Sequence, residues 1–415
     1  MDITITPSIM KGEISAIPSK SYAHRMLMCA MLTHNNGVIN NVVESKDIKA
    51  TINFLNALNT KVDIKDNKFI LTAGSIPKEA NIDCIESGST VRFILSILAA
   101  LNVNAYVTGK EGLQKRPLID LIKVLRENGA QFDADTLPLN MKGCIKPGEY
   151  RINGSISSQY ITGLLMALPI LEGDSKIIIE GHLVSKSYLD ITLEVLKIFS
   201  IEIKEESYGY SIRGNQKYIM PSFLSIQGDW SNAAFFIVLG AINSDIKVNN
   251  LVLDSNQGDR EIVDIVEKMG ARVIRNSDHV IVSKSPLHSI ELDAKNIPDL
   301  VPIVSVLMAC AEGESKITNV DRLKIKETDR LKAVQETLDR MGIINRYESN
   351  TLYIKGGKIR SFSGISYNDH RMVMMQAIAA SIADGNSTIQ GIEAVDKSYP
   401  TFFDDYKSLG GIFNV

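Results

Sequence analysis

The sequence is short of the residues that build disulfide frameworks and metal centres. Its four cysteines, Cys29, Cys84, Cys144 and Cys310, are far apart and in no metal-ligand spacing. That excludes a zinc ribbon or a cysteine-stapled scaffold and fits free thiols in a reducing compartment. Histidine is scarce as well: His24 and His370 have no second ligand at metal spacing, so no metal is expected, and no cofactor either. A long apolar run is also missing. The longest stretch, Leu300 to Ala311, is interrupted by Pro302 and is too short to cross a bilayer. The opening residues, Met1 to Pro7, alternate like a strand and have neither the basic nor the apolar segment of a signal peptide. A cytoplasmic protein with no membrane association is the expectation. A net charge of −3 gives no long-range pull toward nucleic acid, so any anion site must be local.

What the chain has is bulk. At 415 residues it is too long for one ordinary core, and 45% apolar against 22% charged residues gives it plenty to bury. Two domains are expected. An apolar helix pattern opens at Ser19 and returns at Ser87, Ser157, Asp229, Asp299 and Asp369, at separations of 68, 70, 72, 70 and 70 residues. The chain therefore reads as six repeats, each of helix, strand, second helix and two or three strands. The second helices end in turns such as Glu127-Asn128-Gly129, Met269-Gly270 and Met341-Gly342, where Gly or Asn suits a left-handed helix end. About seventy residues bury too little surface to stand alone, which predicts association three and three. The natural cut lies near Ile226 to Asp229, with a second crossing near Pro18 to Lys20, because the first strand precedes the first full repeat. The expected domains are residues 1–18 with 228–415, and 19–227. No Gly/Ser-rich tether marks either crossing, which suggests a hinge.

The first helix of each repeat is apolar nearly all round, and polar residues collect at its N-terminal end, where free backbone N–H groups favour anions. The openings are Pro18-Ser19-Lys20-Ser21 with Arg25, Ser87-Gly88-Ser89, Ser157-Ser158-Gln159 and Asn368-Asp369-His370-Arg371. Ser19, Ser87 and Asp229 are explained as ordinary N-caps. Lys20 and Arg371 are not, because long cations in a first turn oppose the helix dipole and call for an anionic ligand. Gly88 suits a close approach of backbone to such a ligand. Two further basic lead-ins, Lys110 to Pro117 and Asp396 to Pro400, precede helices. The densest motif is Arg322 to Arg330, with four cations and two carboxylates in nine residues. It reads either as a solvated helix start, with Leu331, Val334 and Leu338 as the apolar stripe, or as a site for a multiply charged anion with an acid or base beside it.

Taken together, Pro18-Ser19-Lys20-Ser21 with Arg25, Ser157-Ser158-Gln159, Ile297-Pro298-Asp299, Lys326-Glu327-Thr328-Asp329-Arg330, Asn368-Asp369-His370-Arg371-Met372 and Lys397 resemble the signature set of the EPSP synthase family, in order along the whole chain. The resemblance implies an α/β fold: a two-domain inside-out α/β barrel of three βαβαββ repeats per domain, with the active site in the interdomain cleft. It implies transfer of the enolpyruvyl group of phosphoenolpyruvate to the 5-hydroxyl of shikimate 3-phosphate, with release of phosphate, in the shikimate pathway to chorismate and the aromatic amino acids. It assigns phosphoenolpyruvate to Lys20, Gly88, Arg116, Gln159, Arg330, Arg371 and Lys397. Shikimate 3-phosphate falls to Lys20, Ser21, Arg25, Ser157, Ser158, Gln159, Ser185, Asp299 and Lys326, with Tyr188 nearby. Asp299 is implied as the base for the hydroxyl and Glu327 as the acid at the methylene carbon, assisted by Lys20. A monomer is expected. Glu86-Ser87, Phe93 and Arg322 depart from the pattern of well-known members, which carry Asn-Ala, Pro and, in some, Asn there. The competing readings are enolpyruvyl transfer to UDP-N-acetylglucosamine, whose enzymes generally carry a cysteine or aspartate in the loop that is Gly109 to Arg116 here, and a non-catalytic phosphate-ligand sensor on the same scaffold.

Overall fold

The computed structural model describes residues 1–415. The chain folds into two compact units, Met1–Ile17 with Gln227–Val415, and Pro18–Ile226. Each has its own apolar core.

All six repeats carry their apolar helix: α1 (Lys20–Leu32), α2 (Gly88–Ala100), α3 (Ser158–Ala167), α4 (Trp230–Ile242), α5 (Val301–Ala309) and α6 (His370–Ala380). These helices are buried on every face; in α4 every residue but Ser231 is inside. Sequences such as Trp-Ser-Asn-Ala-Ala-Phe-Phe-Ile-Val-Leu have no polar face to offer water, so they become the interior around which strands and second helices pack.

The second repeat shows the strand plan. Glu79–Asp83 pairs parallel with Asn104–Thr108 across α2, Asn104–Thr108 pairs antiparallel with Leu139–Lys142, and Gln131–Phe132 closes the edge. The third and fifth repeats repeat that order in full. The other three borrow strands. In the first, the parallel place beside Gly37–Asn40 is taken by Ser225, held by Asn40 N donating to Leu224 O at 2.8 Å and Ile226 N to Asn40 O at 3.0 Å. Gly12–Ser15 fills the parallel place beside Ile246–Asn249 in the fourth, and Asp2–Thr6 lies between Ser387–Gln390 and Ile412–Asn414 in the sixth. The alternation of the opening residues explains the last pairing, since Ile3 and Ile5 are buried between polar neighbours.

All six second helices end in a left-handed residue: Asn59, Gly129, Ser200, Gly270, Gly342 and Gly410. One glycine within a helix has a different purpose. A Cβ on Gly163 of α3 would meet Arg92 O at 2.7 Å and Phe93 Cα at 3.2 Å, so its absence lets α3 lie directly on α2. That approach brings the polar ends of the two helices together.

Candidate active site

Two polar clusters form, one in each unit. In the unit holding residues 227–415, the run Arg322 to Arg330 is divided: Lys324, Ile325 and Asp329 are exposed, while Leu323 and Arg330 are buried. Asp329 caps the helix Arg330–Arg340, accepting from Lys332 N at 3.1 Å, and Leu331, Val334 and Leu338 turn inward. Arg330 therefore takes the first helical position and is 1% exposed. Its guanidinium meets three carboxylates: Nε donates to Asp369 Oδ2 at 2.9 Å, Nη1 to Asp299 Oδ1 at 2.7 Å, and Nη2 to Glu327. Burial opposes the charge, but Asp369, Glu327 and Asp299 outweigh it and hold Arg330 protonated above its ordinary range.

Asp299 differs from its expected place at a helix start. Helix α5 begins two residues later, with Leu300 in the capping position and Pro302 in the first turn. Proline has no N–H to be capped there, and the first intrahelical bond is Val304 N to Leu300 O. The Asp299 carboxylate is thus directed to cations instead. Lys326 Nζ donates to its Oδ1 at 3.1 Å, Arg371 Nη2 lies 3.6 Å from Oδ2, and Arg371 Nη1 donates to the Asp299 backbone carbonyl at 3.1 Å. Burial pushes the Lys326 ammonium below its usual pKa, and Asp299 only partly restores it. Arg371 is in the first turn of α6, whose cap Asp369 accepts from Arg371 N at 2.9 Å and uses its other oxygen for Arg330. Lys397 donates to Asn368 O at 2.7 Å, on the turn that leads into that cap.

In the unit of residues 18–226, Lys20 is paired with Asp47 at 2.7 Å, both largely buried. Arg25 is fixed on every side: Nε to Thr192 Oγ1 at 2.8 Å, Nη1 to Ser21 O at 2.8 Å, Nη2 to Tyr188 O at 2.9 Å, with the Phe93 ring 5.2 Å away. Burial pulls its pKa down to about 10. Ser157 caps α3 by accepting from Gln159 N at 3.3 Å. The Gln159 side chain spans to α2, its oxygen accepting from Arg92 Nη1 at 2.6 Å and its amide donating to Ser89 Oγ at 2.8 Å. Gly88 and Arg116 also meet, because a Cβ on Gly88 would stand 2.5 Å from Arg116 Nη1. Only a residue without a side chain leaves that space to the guanidinium. Ser185 is buried in a left-handed conformation, φ 54°, ahead of the helix Lys186–Ile198.

The expected residues thus fall into two groups: Lys20, Ser21, Arg25, Gly88, Arg116, Ser157, Ser158, Gln159 and Ser185 in one unit, and Asp299, Lys326, Glu327, Arg330, Arg371 and Lys397 in the other. Three local expectations need correction. Ser19 holds the N-cap position of α1, but its side chain makes no capping bond. Lys20 and Arg371 are compensated in part by the protein's own carboxylates, Asp47 and Asp299. The lead-in Lys110 to Pro117 contains a helical turn, Glu111–Gln114, in which Lys115 pairs with the exposed Glu111.

Several participants were not singled out from sequence. Asp47 is an ordinary first-turn acid in the linear pattern, and Asp369, marked there as a helix opening, gives no sign of Arg330; only the fold reveals their partners. Arg92, four residues beyond Gly88, carries no sign in the sequence that it is the donor that orients Gln159. Asp259 is buried on the turn Gly258–Glu261, and its carboxyl is pushed up to about 6 by burial and then by the charge of Asp299, with Arg371 and Ser231 opposing. The cysteines supply no reactive thiol to either cluster: burial raises Cys29, Cys84 and Cys310.

The family model for EPSP synthase (3-phosphoshikimate 1-carboxyvinyltransferase) matches residues 5–406. The chain belongs to the EPSP synthase family. The 3-phosphoshikimate 1-carboxyvinyltransferase of Clostridium novyi is 42% identical over 100% of this chain and 98% of its own length, and that of Clostridium acetobutylicum is 41% identical over 99% and 97%. Among solved structures, an EPSP synthase from Acinetobacter baumannii superposes over the whole of both chains with a TM-score of 0.85 at 24% identity. The enolpyruvyl transferase NikO from Streptomyces tendae gives 0.78 at 16% identity, over 100% of this chain and 98% of that one. The mixed α/β architecture is therefore that of the EPSP synthase family. No helix is long and apolar enough to cross a membrane.

Proposed function

We propose that this chain carries out the reaction its family is named for, joining the enolpyruvyl group of phosphoenolpyruvate to the 5-hydroxyl of shikimate 3-phosphate, and that the two clusters supply its residues. The 5-oxygen attacks C2 of phosphoenolpyruvate while C3 gains a proton, giving a tetrahedral adduct. C3 then loses a proton as the C2–O bond to phosphate breaks, leaving the enolpyruvyl ether and inorganic phosphate. Both substrates are polyanions, so bringing them together requires many fixed cations.

The observation that carries this reading is the Asp299 carboxylate, 15% exposed in its side chain and bonded to Lys326 and Arg330 with Arg371 beside it. A carboxylate oriented by three cations suits a base that takes a hydroxyl proton next to bound anions. Glu327 is the acid and base at C3 in this reading. Held by Arg330, it gives a proton to C3 during addition and takes one back from C3 during elimination. Lys20, Gly88, Arg116, Gln159, Arg330, Arg371 and Lys397 bind phosphoenolpyruvate; Ser21, Arg25, Ser157, Ser158, Ser185 and Lys326 bind shikimate 3-phosphate together with Lys20, Gln159 and Asp299. The two groups act on one substrate pair, in the interdomain cleft of the inside-out barrel that the family resemblance implies. In this reading the enzyme acts as a monomer in the cytoplasm.

The test is phosphate release from phosphoenolpyruvate with shikimate 3-phosphate, UDP-N-acetylglucosamine or no acceptor. Release with shikimate 3-phosphate alone is expected. Release with the nucleotide sugar alone, or with neither acceptor, would overturn the assignment.

A further inference from the structure

His24 is one turn beyond Lys20 on α1, and Thr51 one turn beyond Asp47 on the helix Lys46–Ala57. The two helices are therefore joined by two rungs. The upper is the Lys20–Asp47 ion pair at 2.7 Å; the lower is His24 Nδ1 to Thr51 Oγ1, also 2.7 Å. The lower rung continues. Thr51 Oγ1 is 2.8 Å from Thr90 Oγ1, and Thr90 Oγ1 donates to Ser87 Oγ at 2.8 Å. Ser87 is the N-cap of α2 and also accepts from Thr90 N at 3.2 Å, immediately before Gly88. All four residues are essentially sealed from solvent.

The directions of these bonds follow from proton count. Each threonine hydroxyl has one proton. Thr90 spends its proton on Ser87, so it must accept from Thr51; Thr51 has then spent its own and must accept from His24. His24 is thereby the Nδ1–H tautomer, with a bare lone pair on Nε2, an atom that is buried and has no hydrogen-bond partner. A second ring proton would have no acceptor there, beside Lys20 and Arg25.

We propose that His24 is a positioning residue: as a neutral donor it drives a one-way hydrogen-bond relay through Thr51 and Thr90 that fixes the Ser87 cap, and so sets the direction of the Gly88 backbone N–H that follows it. The proposal rests on the assignment of Lys20 and Gly88 to phosphoenolpyruvate. It gives the departure at Ser87 a purpose, since the hydroxyl is the relay's final acceptor.

The variants are His24→Leu, which removes the donor, His24→Asn, which keeps an N–H near the place of Nδ1, and Thr51→Val, which breaks the relay on a different helix. Steady-state phosphate release is measured with each substrate varied. His24→Leu and Thr51→Val should each raise the KM for phosphoenolpyruvate about tenfold, the effect of one hydrogen bond, with kcat and the KM for shikimate 3-phosphate within about twofold. His24→Asn should recover most of the loss, and the double variant should be no worse than the poorer single, because one relay is broken once. Equal rises in both KM values, no recovery in His24→Asn, or multiplying effects would overturn it. A wild-type protein that releases no phosphate would sink the functional reading instead. The relay is then decided by ¹⁵N histidine spectra of the wild type, with His24→Asn identifying the signal: an Nδ1-protonated ring supports it, and an Nε2-protonated or doubly protonated ring overturns it.

Discussion

Arg330 Nη1 and Lys326 Nζ both donate to the same oxygen of Asp299, at 2.7 and 3.1 Å, so the Asp299 carboxylate is held in one orientation with Oδ2 turned toward Arg371. The fork that achieves this also ties Asp369, and with it the start of α6 and Arg371, to the same guanidinium. Charge and geometry are therefore set by one side chain.

Arg330→Lys keeps the charge but not the fork. A single ammonium cannot serve Asp299, Glu327 and Asp369 together, and at least one buried carboxylate is left without its partner. We expect a loss of about 3 kcal/mol in denaturant unfolding and a fall in turnover of at least about a hundredfold. A variant close to the wild type in both would show that the fork is incidental.

Gly88→Ala separates binding from folding. The added methyl would collide with Arg116 Nη1, the far end of a flexible side chain, so the guanidinium moves and the backbone stays. The melting temperature should change by no more than about 2 °C, while the KM for phosphoenolpyruvate rises about tenfold or more and that for shikimate 3-phosphate is little affected. A large drop in melting temperature would mean that the glycine serves packing instead.

Asp259 gives a pH signature. Burial and the charge of Asp299 push its carboxyl up to about 6, above the unfolded value of about 4, so between those limits the folded state binds more protons than the unfolded one. Its contribution to stability is present at low pH, declines as pH rises through that window, and is a cost above it. Asp259→Asn should remove this slope and raise stability at pH 7 to 8. Unchanged pH dependence in urea titrations would contradict the assignment.

How much of this was legible in the linear sequence differs by feature. The buried helices were, because a stretch such as Phe235-Phe236-Ile237-Val238-Leu239 has only one physical outcome. The borrowed strands were legible only in part: alternation marks Asp2–Thr6 as a strand, but its seat between Ser387–Gln390 and Ile412–Asn414 depends on a vacancy hundreds of residues away. Among charged residues, Arg330 could be marked as unusual by its dense neighbourhood. Asp47 and Asp259 could not, and Asp369 could be marked only as a helix opening, since only the fold supplies Lys20, Asp299 or Arg330 as the neighbour. The repeat spacing puts a helix start at Asp299, whereas α5 begins at Val301 with Pro302 in its first turn, and the Asp299 carboxylate is released from capping.

The most direct test of the account is Asp299→Asn, which keeps the size and a hydrogen-bonding side chain but removes the base. Single-turnover phosphate release and calorimetric binding of shikimate 3-phosphate are measured on the same preparation. Turnover should fall by about a thousandfold or more, with the dissociation constant within several-fold of the wild type. A variant that still turns over at near wild-type rate, or one whose affinity collapses in step with its rate, would contradict Asp299 as the base.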